Sequence, residues 1–145
     1  MRKRLVQHPK FYFFDSGVVR ALSKKTSVPL EPKTPDFGWA FEHFIILEIM
    51  RAAEYNKLDY NFSYYRTERG AEVDLIIETP KGEVLAIEIK ATDVIKSPHM
   101  QGLISFKETC PQAKLFCVSL SPRRKMLGEI AVLPWQEAIK ELTVI

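Results

Sequence analysis

Histidine and cysteine are scarce: three of one and two of the other in 145 residues. His8, His43 and His99 share no ligand spacing, and Cys110 and Cys117 fit none of the paired spacings that hold zinc. That argues against a zinc site and a disulfide scaffold. Two free thiols suit a reducing compartment, so a cytoplasmic location is expected, with Cys117 buried inside Leu115-Phe116-Cys117-Val118. No apolar run approaches the roughly 20 residues that cross a bilayer, and no membrane association is expected. The basic start Met1-Arg2-Lys3-Arg4 is interrupted by Gln7, His8 and Lys10 before an apolar stretch develops, so a signal peptide is not expected. The six glycines contain no Gly-x-x-x-x-Gly-Lys-Ser/Thr phosphate loop. Repeats and low-complexity segments are missing too. A net charge of +3 and a pI near 8.8 permit nucleic-acid binding without demanding it.

What is present is ordinary globular composition, 46% hydrophobic and 27% charged, in a chain of single-domain length. It is organised around one stretch. Glu72-Val73-Asp74-Leu75-Ile76-Ile77 runs into a turn at Thr79-Pro80-Lys81-Gly82. Val84-Leu85-Ala86-Ile87-Glu88-Ile89-Lys90 then follows. Two β-branched runs about a Pro/Gly turn predict a hairpin. Residues two apart share a strand face, which pairs Glu88 with Lys90 and Glu72 with Asp74.

Upstream, Lys10-Phe11-Tyr12-Phe13-Phe14 reads as a strand or extended arm ended by Asp15-Ser16-Gly17. Residues 18–22 predict one helical turn, and Pro29, Pro32 and Pro35 mark a loop. We divide the chain into an arm and linker, 1–35, and a domain, 36–145. Thr34-Pro35 supplies an N-cap and a first-position proline for a long helix over 37–56. That helix is apolar on nearly every side, so burial on most of its surface is expected, Trp39 included. Glu42 lies inside its apolar stripe and needs a partner from elsewhere, because a buried unpaired carboxylate costs several kcal/mol.

Residues 62–66 predict a strand before the hairpin. Ser97-Pro98 predicts an N-cap for a short amphipathic helix to about 108. Strands follow at 114–119 and 129–133, separated by the basic loop Arg123-Arg124-Lys125. Trp135, expected in the core, opens a terminal helix. Tight turns imply an antiparallel meander, and the intervening helix allows a parallel crossover. The fold class is α/β, a mixed sheet with a helix-strand-strand-strand-helix-strand core.

Glu42, Asp74, Glu88 and Lys90 form the candidate constellation. Two carboxylates about 4 Å apart repel by roughly 4 kcal/mol at an effective dielectric near 20. A divalent cation removes that penalty, and an all-oxygen ligand set points to Mg²⁺ or Mn²⁺. Such a site suits phosphodiester hydrolysis, with the lysine acting on the attacking water or on developing charge. A lone Glu-x-Lys is usually only an ion pair; Asp74 and Glu42 give it weight.

Asp, then Glu-x-Lys on the next strand, with a Glu on the preceding long helix, resembles the PD-(D/E)XK nuclease superfamily. The resemblance implies a restriction-endonuclease-like fold and cleavage of DNA. It makes Asp74 and Glu88 metal-binding acids with the Ile89 carbonyl as third ligand. Lys90 becomes the catalytic lysine, and Glu42 the helix acid that reaches metal through water. Val73 stands where the name-giving proline would be. Gln101 matches a second-helix glutamine of some branches, although their tyrosine four residues on is Ser105 here. Arg66 and Arg69, beside the hairpin, are candidate phosphate contacts.

Lys10-Phe11-Tyr12-Phe13-Phe14-Asp15-Ser16-Gly17, then Phe41-Glu42, Tyr65-Arg66-Thr67, Glu72-Val73-Asp74 and Ile87-Glu88-Ile89-Lys90 carry a closer likeness. In that order they are similar to the uncharacterised C-terminal domain of many prokaryotic AAA-type ATPases. This likeness leaves two alternatives open: a piece of such a protein, with an ATPase portion or partner beyond these residues, or a stand-alone relative of the domain. It also implies an alternative to catalysis: a silent nuclease-like module that docks nucleic acid or protein.

Overall fold

The computed structural model describes residues 10–144. The basic tetrapeptide and His8 lie outside the described residues. Thr34 Oγ1 accepts from the Phe37 N–H at 3.3 Å, and Pro35 and Asp36 fill the first turn. This cap opens helix α2, Pro35–Tyr55. It is preceded by α1, Ser16–Leu22, whose N-cap Asp15 accepts from Gly17 and Val18. The expected single turn is thus a seven-residue helix, and residues 10–14 form an irregular arm rather than a strand.

The meander is β1, Asn61–Arg66, β2, Glu72–Glu78, and β3, Val84–Lys90. Gly82 takes a φ of 82° in the β2–β3 turn, which L side chains rarely adopt. Helix α3, Gln101–Thr109, crosses to β4, Lys114–Ser119. Strands β5, Lys125–Leu127, and β6, Ile130–Pro134, precede α4, Trp135–Leu142. The sheet order is β1-β2-β3-β4-β6-β5. β1 to β3 are antiparallel, β3, β4 and β6 are parallel, and β5 returns antiparallel to β6. The expected mixed α/β sheet is therefore present, with one strand more than the sequence suggested. β5 is a three-residue edge strand that begins at Lys125, too short and polar to show an alternating pattern.

Each face of the sheet has its own core. Phe41, Ile45, Ile46 and Ile49 of α2 and Ala138 and Leu142 of α4 cover Leu75, Ile77, Leu85, Ile87 and Ile89. Leu103 and Phe106 of α3 cover Val73, Ile76, Ala86, Leu115, Cys117 and Val132 on the other. Sheet strands buried on both faces explain the unbroken apolar runs.

Two local expectations fail. Trp39 is 68% exposed, because full burial along α2 begins only at Phe41. Trp135 does pack against the core and meets Phe44 edge-on at 5.4 Å. Ser97 is not an N-cap: a 3₁₀ turn, Ser97–Met100, leads into α3 with Lys96 before it and no side-chain cap bond. Instead His99 Nδ1 accepts from the Lys96 N–H at 3.3 Å. The Arg123-Arg124-Lys125 segment is the basic loop expected as far as Arg124, with Lys125 opening β5. Arg124 pairs with Glu137 at 3.5 Å and with Glu141, binding the segment to α4.

Helix α3 touches β2 backbone to backbone at Gly102. A Cβ there would stand 1.7 Å from the Glu72 carbonyl oxygen, so only glycine fits. Gly102→Ala should destabilise the chain by about 1–3 kcal/mol through overpacking, despite alanine's better helix propensity. A thermal melt should show a fall of about 2–4 °C per kcal/mol; an unchanged or raised Tm would contradict the contact.

Candidate active site

A fault in the β-ladder makes the site. From Ser63 to Tyr65 β1 advances two residues, while β2 advances three from Ile76 to Val73. The extra residue falls at Asp74–Leu75. Alternation breaks there: Leu75 and Ile77 join the α2-side core, but Val73 and Ile76 both join the α3-side core. A bulge of this kind re-aims side chains. The β2–β3 register also ends at Leu75↔Ile87. One step on, Asp74 Oδ2 accepts from the Ile89 N–H at 2.8 Å. A carboxylate has taken the place of a backbone carbonyl, and the two strands separate around it.

β3 continues beside β4 to Lys90↔Ser119. Glu88 and Lys90 alternate with Ile87 and Ile89, which face α2, so they point to the α3 side. There Lys90 Nζ lies 2.5 Å from Glu88 Oε1. Glu88 Oε2 is buried without a hydrogen-bond partner among the described residues. Burial first, then the Asp74 charge, raises Glu88 to about 7 against the pull of Lys90. Burial first, then the Glu42 charge, raises Asp74 to about 6, opposed by the Ile89 N–H and by Lys90 and Lys10. Burial pulls Lys90 down, but the adjoining Glu88 and Asp74 outweigh it and its pKa is raised. It is an ammonium at neutral pH.

Glu42 has the partners its position required, though they come from an unexpected place. Tyr12 O–H donates to Glu42 Oε1 at 3.0 Å, and Lys10 Nζ lies 3.8 Å from the same oxygen. Lys10 also pairs directly with Glu72. The arm is fastened to α2 at two further points. His43 Nε2 donates to the Phe13 carbonyl at 2.7 Å, and Arg51 donates to the Phe14 carbonyl.

The fold therefore brings Glu42, Asp74, Glu88 and Lys90 together and adds Lys10, Tyr12 and Glu72. The alternation of Lys10 and Tyr12 about Phe11 was the available signal for the arm. Nothing local distinguished its lysine from a solvated one. Gln101 is exposed at the start of α3 and Arg69 is exposed in the β1–β2 turn. Arg66 is also exposed, opposite Glu72 in the register. None of the three is joined to the acids.

Among the described residues no three His, Cys, Asp or Glu side chains form a ready metal-ligand group. A cation would be held by two carboxylates supplemented from backbone or water. The donor chemistry fits: two oxygen acids with raised pKa values, one with an orphaned buried oxygen, suit a hard divalent ion.

Both acids titrate higher in the folded chain than unfolded, where carboxylates lie near 4. The folded chain thus holds more protons between about pH 4 and 7, and stability falls as pH rises through that window. Glu88→Gln removes the larger contribution. It should be more stable than the native chain above about pH 7, with the gap closing below about pH 5. Denaturant melts across pH test this; a pH-independent gap would show that Glu88 does not titrate as described.

No helix among the described residues is long and apolar enough to cross a membrane. No curated protein and no solved structure matches the chain. A family model does: the domain of unknown function DUF4143 matches residues 37–138, a span holding Glu42, Asp74, Glu88 and Lys90 and leaving out Lys10 and Tyr12. That domain is commonly found alongside AAA ATPase domains. With most of its length matched, the chain belongs to the DUF4143 family.

Proposed function

We propose that the chain is a metal-dependent nuclease of the PD-(D/E)XK kind, hydrolysing DNA phosphodiester bonds. One observation carries the proposal: the buried, unpartnered Oε2 of Glu88 beside Asp74, with Lys90 on the other Glu88 oxygen. A buried carboxylate left half-satisfied is costly, and this one sits where a cation would satisfy it. The order α2-β1-β2-β3-α3-β4 supports a restriction-endonuclease-like core.

Asp74 and Glu88 would hold Mg²⁺ or Mn²⁺, with the Ile89 carbonyl as the third ligand that the resemblance implies. The ion supplies Lewis acidity at a phosphoryl oxygen and a lowered pKa for water. The protein's own groups do the rest. The Ile89 N–H fixes the Asp74 carboxylate by a hydrogen bond to a charged acceptor. Lys90, an ammonium rather than a free amine, donates to the attacking water and offsets the negative charge that develops. It is not the base. Glu42, partly exposed and held by Tyr12, would order water at the α2 side. Arg66, at the end of β1, and Arg69, in the β1–β2 turn, are available to phosphates.

A second reading has its own support in the company that DUF4143 domains keep: a catalytically silent module docked in an AAA-type ATPase system, on nucleic acid or on protein.

Calorimetry with Mn²⁺ should show one site, lost in Glu88→Gln; equal binding by both would remove the acids from metal binding. In a plasmid-nicking assay with Mg²⁺ or Mn²⁺, the native chain should cut and Asp74→Ala should not. Lys90→Ala should cut about 10²–10³-fold more slowly, with DNA affinity nearly unchanged because many phosphate contacts share it. No cleavage with either metal by a chain that binds a partner ATPase would establish the docking reading instead.

A further inference from the structure

We propose, building on the metal site of the preceding section, that Lys10 is the resident counter-cation of Glu42 and Glu72 and confines a divalent ion to the Asp74–Glu88 side. The arm before α1 is then a working part of the site rather than a linker. Lys10 is a positioning residue.

The observations are geometric. Lys10 pairs with Glu72 of β2 and lies 3.8 Å from Glu42 of α2. It thereby bridges α2 and the strand that carries the bulge. Its Nζ also stands 5.2 Å from the centroid of the Tyr64 ring, a cation–π contact that discourages it from swinging into solvent. Its backbone is held by neighbours: Tyr12 on Glu42, the Phe13 carbonyl on His43 and the Phe14 carbonyl on Arg51. The capped helix α1 follows at once. Lys10 is therefore delivered to a fixed place.

The charge count shows what it does there. With every acid ionised, Glu42, Glu72, Asp74 and Glu88 carry −4, and Lys10 and Lys90 carry +2. The balance of −2 is one divalent cation. Lys90 is committed to Glu88 and Lys10 to Glu72 and Glu42. Without Lys10 the balance is −3, and the surplus lies on the α2 side. That leaves Glu42 and Glu72 free to draw a cation toward themselves, off the Asp74–Glu88 pair.

A lysine that only fastened the arm would act in the opposite sense. Losing it would loosen the arm and leave cation binding unchanged or weaker. The sign of the change separates the two roles.

The test is calorimetric titration of the metal-free full chain with Mn²⁺ at low salt, comparing the native protein with Lys10→Met, Lys10→Gln and Lys10→Arg. Thermal melts first establish which variants are folded. The two neutral variants should bind Mn²⁺ at least about tenfold more tightly, or take up a second equivalent, since a unit charge has left the cluster. Lys10→Arg should match the native chain. A folded neutral variant that binds no more tightly and no more Mn²⁺ than the native chain overturns the proposal, while native binding itself leaves the metal site standing. If the native chain binds none and the neutral variants bind one equivalent, the counter-cation role is supported and the Asp74–Glu88 site falls. If none binds, both fall.

Discussion

The hydrogen bond from the Ile89 N–H to the Asp74 carboxylate is where the sheet and the site become one structure. A backbone N–H at the centre of a buried sheet must find an acceptor. From Val84 to Ile87 β3 runs in register with β2, whose backbone answers the donors that face it. At Ile89 the acceptor is a side chain. That exchange lets β2 leave β3 without orphaning the donor. The split opens a gap in an otherwise closed apolar sheet, and acids can stand in it. Remove the carboxylate and the same N–H is left without an acceptor. Asp74 is thus structural and chemical at once.

The two-sided core follows from the same constraint. Covering both faces keeps water away from the sheet, and only in such surroundings do carboxylates carry pKa values of about 6 and 7. The bulge then lets groups from opposite sides meet. Glu42 arrives from the α2 face and Glu88 and Lys90 from the α3 face. Neither helix layer alone could assemble the set.

Much of this was legible in the sequence because the signals were local. The hairpin, the capped α2 and the Glu88–Lys90 alternation each depend on neighbours within a few residues. The sequence did not disclose how the acids meet. A period-two pattern places Asp74 on one face, and the bulge that shifts it is defined only by the pairing with β1. Lys10 and Tyr12 escaped for a related reason: their partners lie 30 and more positions away. The exposure of Trp39 escaped because an apolar helix pattern says which residues can be buried, not where the neighbouring layer ends. Likewise β5 exists only as the partner of β6.

The arm is gripped through main-chain oxygens. His43 and Arg51 take hold of the carbonyls of Phe13 and Phe14, and every residue has a carbonyl. The side chains at 13 and 14 are largely outside that grip, as is Phe11, 85% exposed. Substitution at these three positions is thus nearly silent for the way the arm lies, while positions 10 and 12 speak through their end groups. The aromatic run that catches the eye is the replaceable part of the segment. Its alternate residues carry the information, and relatives could drift far in appearance here while keeping the same arm in the same place.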